Sequence, residues 1–194
     1  MLEDSVFNLE AEMQQEFATQ LAKNEGTAFV SGSSVGQPEG LLTNGDVGET
    51  VSGNANTLLG DGLIDLVHAV KTPYGTGASF VFNRTTLAAI RKLKDTAGQY
   101  VFQAGMMLTA GVPNTILGYP YIEMPDMPDV SANAFPVAFG DFSRGYMIVD
   151  RVNLSILRDP FTQASTGSVR YYCRSRVGGQ VVLPEALRKQ KIST

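Results

Sequence analysis

The 194 residues contain no tryptophan, one cysteine (Cys173) and one histidine (His68). A lone cysteine excludes an internal disulfide and suits a reducing compartment. One cysteine and one histidine are too few for a zinc site, which needs several such ligands. No run of lysines and arginines occurs, and the net charge is −4, so the electrostatic footprint of a nucleic-acid reader is missing. No apolar stretch approaches the ~20 residues that span a bilayer, so no membrane partner is expected. What the chain does have is 20 glycines and nine prolines, which imply many short elements joined by turns. Its 43% hydrophobic and 18% charged content is that of a globular protein with one domain or two small ones.

The chain opens on a helical signature. Asp4 and Ser5 are good capping residues, and Val6, Leu9, Met13, Phe17 and Leu21 recur at spacings of three and four. With Gly26 as the residue past its end, the helix is about 20 residues, or ~30 Å, long. Directly after it comes AFVSGSSVGQPEGLL (28–42), rich in glycine. A phosphate loop would need G-x-x-x-x-G-K-[ST], and no lysine follows Gly36 before Lys71. A dinucleotide fingerprint would follow a strand and open a helix, whereas these glycines follow a helix. The stretch therefore reads as a tight chain reversal.

Beyond it, residues 43–60 read as a polar loop, and Asp61 as the cap of a helix over 61–70. SFVF (79–82) reads as a buried strand, and Asn83 as the cap of a second helix that Gly98 ends. TILGYPYIEM (115–124) reads as a turn and strand, and 123–134 as an acidic, proline-containing surface loop. PVAFGDFS and GYMIVDR read as two strands paired around Ser143–Gly145. VNLSILRD and SVRYYCRSRVGGQVVL alternate in period two, as half-buried strands do, before a polar tail with Lys189 and Lys191. The fold class is α+β.

Candidates for chemistry are few. His68 could serve a small hydrolase with Asp65 three residues before it, but it sits in a helical stripe and reads as a residue packed beside the core. Glu123, Asp126 and Asp129 lack the spacing of a calcium loop and read as solvated. Cys173 reads as a buried structural thiol. Tyr100, Tyr119, Tyr121, Tyr171 and Tyr172 lack the basic setting of a base-stacking platform and read as core or interface. Nothing is arranged for turnover, and no cofactor is expected.

The order of these signals resembles the major capsid proteins of tailed bacteriophages or prophages, of the Hong Kong 97-type fold. AFVSGSSVGQPEGLL is similar to that family's junction after its spine helix. FVFNRTTLAAIRKLKDTAGQYVF (80–102) resembles its strand, asparagine-capped helix and glycine turn. LGYPYIEMPDMP, VAFGDFSRGYMIVDR, LSILRDPF and RVGGQVVLPEAL follow in the family's order, so the resemblance covers almost the whole chain.

The resemblance implies a long spine helix, a long-stranded peripheral sheet and a mixed α/β axial lobe. Residues 1–43 and 151–178 would form the peripheral lobe, and 44–150 with 179–194 the axial lobe. It implies a structural protein that assembles with itself into pentamers and hexamers of an icosahedral shell. That shell would enclose double-stranded DNA without sequence-specific contacts, as a virion capsid built in the bacterial host cytoplasm. Arg158, Asp159 and Gln163 match the peripheral loop that meets neighbouring subunits, where symmetric copies can exchange a charged pair. An encapsulin-like nanocompartment shell uses the same fold and is the alternative. The family's N-terminal arm and extended hairpin loop have no counterpart here, which implies monomers or small rings for the chain alone. Gly167 and Arg174 stand where crosslinking relatives carry asparagine and glutamate, so crosslinking is not expected.

Overall fold

A computed structural model describes residues 9–94, 97–100 and 115–194. The expected caps Asp4 and Ser5 lie outside the described residues. In chain order the elements are α1 (Leu9–Ser31), β1 (Gly48–Val51), α2 (Gly60–Ala69), α3 (Thr72–Gly75), β2 (Ser79–Phe82), α4 (Arg84–Arg91), β3 (Thr115–Ile116), β4 (Tyr119–Glu123), β5 (Val137–Gly140), α5 (Phe142–Gly145), β6 (Tyr146–Asp159), β7 (Arg170–Val181) and β8 (Leu187–Lys191). Contacts divide the chain into one unit of residues 1–40 with 148–180 and a second of 41–147 with 181–194.

The first unit contains α1 and most of a two-stranded sheet of β6 and β7. Met13, Phe17 and Leu21 form the expected half-buried stripe on α1. The helix does not stop at Gly26, as the sequence suggested, but runs on to Ser31. Ala28, Phe29 and Val30 supply further inward-facing side chains, and their burial outweighs the modest cost of one internal glycine. The reversal after the helix is tight. Gly32 donates to Ala28 O at 2.8 Å, Gly40 donates to Gly32 O at 2.9 Å, and Ser33 bridges Glu39. A Cβ at Gly32 would overlap the Pro38 carbonyl oxygen, and one at Gly40 the Gly32 amide. These two glycines let the backbones of the loop touch.

The second unit is built on a mixed sheet of order β1-β8-β5-β2-β4-β3. β1 runs parallel to β8 and β2 parallel to β4, while β5 is antiparallel to both β2 and β8. β5 does not pair with the strand that follows it, as the sequence suggested. The Asp141 carboxylate accepts from the Ser143 amide at 3.1 Å and the Ser143 hydroxyl at 2.6 Å. That cap winds residues 142–145 into one helical turn and sends the chain out of the sheet as β6. The expected polar tail is likewise a strand: β8 lies inside the sheet, with Leu187, Lys189 and Gln190 buried. Residues 43–60 contain the edge strand β1 as well as loop.

Phe80, Phe82, Phe139, Leu66, Ile90 and Ile192 form the centre of this unit. Phe80 and Phe139 rings lie 4.5 Å apart, and Tyr119 meets Phe139 edge-on at 5.1 Å. Asn83 caps α4 as expected, its Oδ1 accepting from the Thr86 amide at 2.7 Å. α2, by contrast, begins at Gly60 with Leu59 at the cap position and no side-chain cap bond. Asp61 therefore sits inside the first turn, where it complements the helix dipole.

Candidate assembly surface

The loop joining β6 to β7 is ordered by its own hydrogen bonds. Asp159 Oδ1 accepts from the Phe161 amide at 2.9 Å and the Thr162 amide at 3.1 Å, and Thr162 Oγ1 donates to Asp159 Oδ2. These bonds, with a weaker contribution from Arg170, hold the Asp159 carboxyl below its usual range. The Gln163 carbonyl then accepts from the Thr166 amide at 3.0 Å and the Thr166 hydroxyl at 2.9 Å, closing a short 3-10 turn. Of the three residues singled out in the sequence, Asp159 and Gln163 are thus half-buried organisers of the loop. Arg158 is exposed and makes no ion pair among the described residues.

The product of this ordering is a residue the sequence reading passed over. Phe161 stands at the loop tip with 84% of its surface exposed. The Asx-type turn at Asp159 and the fixed backbone of Pro160 hold it there. The signal was the D-P-F-T spacing itself, since an aspartate two residues before the aromatic caps its amide.

Exposure continues along the hairpin. Met147, Ile148, Val149, Leu157 and Tyr172 are exposed. Within the first unit the buried described residues are Val30, Gly32, Pro38 and Gly40. α1 covers part of the hairpin, where Ser175 Oγ donates to Glu25 at 3.4 Å beside a cleft of about 680 Å³ that Leu21, Ala28 and Val177 also line. A two-stranded hairpin is marginal in water by itself, so these open apolar residues make it a candidate for contact with another body. Cys173 is exposed, contrary to the buried thiol expected from strand alternation. Period two predicts which side chains share a face, but this sheet has too few layers to bury both.

His68 is exposed, not packed beside the core as its place in the helical stripe suggested, because it falls on the outer side of α2; its Nδ1 lies 2.8 Å from the Ile64 carbonyl one turn earlier. The cleft of about 930 Å³ beside it is lined by Val67, Thr72, Ala78, Tyr119 and small residues, with no serine or carboxylate among them. Asp129 accepts from Asn83 Nδ2 at 2.7 Å and from Thr85 Oγ1, which lowers its pKa. No cluster of three histidine, cysteine or acidic residues among the described residues could hold a metal. Tyr119 and Tyr121 pack on the core, whereas Tyr100 and Tyr172 are exposed.

The chain matches the phage capsid family over residues 1–192. None of the curated proteins matches it. Among solved structures, the capsid of an empty GTA particle shares 37% identity with a TM-score of 0.90, covering 100% of this chain and 69% of that one. The capsid of the native GTA particle shares 38% identity with the same TM-score, covering 100% of this chain and 68% of that one. The SrpI encapsulin of Synechococcus elongatus has a TM-score of 0.69 over 98% of this chain and 68% of its own; at 15% identity it shows a shared fold alone.

Proposed function

The chain belongs to the phage capsid family, and we propose that its two units divide the work of a major capsid subunit. It is a structural protein of the α+β, Hong Kong 97-type fold, a shell subunit that associates with its own copies. Residues 1–43 and 151–178 serve as the peripheral lobe, and 44–150 with 179–194 as the axial lobe that rings the centres of pentamers and hexamers. The two contact units support this division.

The observation that carries the reading is the hairpin with its loop. It exposes Met147, Ile148, Val149, Leu157 and Phe161 on a sheet of two strands, an arrangement that suits a protein completed by its neighbours. At the loop, Phe161 supplies the apolar anchor and Arg158 the charge. Asp159 and Gln163 hold the loop in shape. The shell encloses DNA without reading it and is built in the host cytoplasm.

Electron microscopy of the complete gene product tests this: closed particles are expected, and Arg158→Glu or Phe161→Ser should lower their yield with the fold intact. Particles holding nuclease-protected DNA support a phage head. Particles holding a single protein cargo would instead support the encapsulin reading.

A further inference from the structure

Charge in the first unit is segregated by element. Residues 1–31 carry six acids (Glu3, Asp4, Glu10, Glu12, Glu16 and Glu25) against Lys23, a net −5. Residues 148–180 carry Arg151, Arg158, Arg170, Arg174 and Arg176 against Asp150 and Asp159, a net +3, in a chain that is −4 overall. The hairpin has no lysine. On β7, alternation places Arg170, Tyr172, Arg174 and Arg176 on one face, and all four are exposed. Arg174 and Arg176 have no ion pair among the described residues.

Among the described residues, the helix of the same copy does not neutralise them. Ser175 meets Glu25 of α1, so α1 lies over the odd-numbered face of β7 at that point; Arg176 borders the same cleft but forms no ion pair with Glu25. On α1, Glu12 and Glu16 are exposed one turn apart. Glu16 accepts the Gln20 amide at 2.9 Å, and neither glutamate has a basic partner among the described residues. Four helical residues rise ~6 Å, and two strand residues span about 6.6 Å. A pair of glutamates at i and i+4 therefore matches a pair of arginines at i and i+2, and the planar guanidinium suits bidentate carboxylate contact.

We propose that Arg174 and Arg176 on the outer face of β7 bind Glu12 and Glu16 on α1 of a second copy of this chain. The contact joins two different patches, so it is head-to-tail and propagates around a closed assembly. It rests on the shell-subunit reading and specifies which surfaces meet.

Paired charge reversal in the complete protein tests it, with particle yield read by sedimentation and thermal melting as the folding control. Arg174→Glu with Arg176→Glu should lower yield at least ~10-fold at low salt, and Glu12→Arg with Glu16→Arg should do the same. Combining all four should restore yield to within ~3-fold of the unaltered protein. Should a reversal unfold the chain, Arg174→Gln with Arg176→Gln provides the second test: its assembly should be slower and should lose the salt sensitivity of the unaltered protein. A quadruple variant no better than either pair overturns the pairing. So does normal yield from the arginine variant; reduced DNA retention in those particles would assign the arginines to nucleic acid instead. If the unaltered protein forms no particles at all, the shell reading itself falls.

Discussion

Lys189 is the residue whose sequence context is least informative about its place. It stands in an apparently polar tail, LRKQK, yet is only 3% exposed. Its Nζ donates to the carbonyls of Leu42 at 3.1 Å and Asn44 at 3.0 Å, lies 3.5 Å from a Glu49 carboxylate oxygen and sits over the Phe135 ring. The cation thus fastens the loop that enters the second unit. Lys189→Met should cost about 2 to 3 kcal/mol in denaturant unfolding, because a charge-assisted set of bonds is lost and the carbonyls are left without their donor. Hydrogen bonds from Lys71 and Tyr74 hold the Glu185 carboxyl below its usual range. A depressed folded pKa means the stabilisation is present above the unfolded value and is lost as pH falls through the folded one. Glu185→Gln should therefore flatten the acid side of the melting-temperature profile below about pH 4.5 and leave the sensitivity near neutrality small. Cys173, exposed on its strand, should react with a maleimide within minutes in the unassembled subunit.

Elements were legible where a local signal decides the matter. The stripe Met13-Phe17-Leu21 gave the long helix, SFVF gave a strand whose phenylalanines are fully buried, and Asn83 gave the start of α4. Replacing Asn83 by alanine should cost about 1 to 2 kcal/mol, since it removes the Thr86 cap and also the bonds to Met127 O and Asp129. Elements were misread where tertiary partners decide. LRKQK has no strand pattern because both of its faces are buried and two of its polar side chains are held in the interior. PVAFG and GYMIV looked like a hairpin because they are adjacent, but β5 finds better partners in β2 and β8, both distant in the chain on either side of it. Gly26 looked like a helix end because local propensity says so, and the buried Val30 beyond it overrules that signal. Of the candidate assembly surface, the loop R-D-P-F-T-Q was locatable through the family resemblance, but the exposed aromatic at its tip required knowing that Asp159 caps the turn.

Across the whole molecule, the second unit has a core of ordinary character and the first has very little. Phe139→Ala, at the centre of the second unit, should cost roughly 3 to 5 kcal/mol in denaturant unfolding, a large part of a domain's total stability. The first unit offers no comparable target among its described residues, where only Val30, Gly32, Pro38 and Gly40 are buried. On the proposed reading, neighbouring copies that cover this surface add to its stability by mass action. Amide exchange should be slow across both units in particles, and fast across β6 and β7 in free subunits. The most direct measurement is a cryo-electron microscopy reconstruction of particles formed by the complete protein. The expected result is an icosahedral shell with residues 44–150 around the five-fold axes and the β6–β7 loop, with Phe161, buried between subunits. A soluble monomer with no closed assembly at any concentration, or a shell in which that loop projects into solvent, would contradict it.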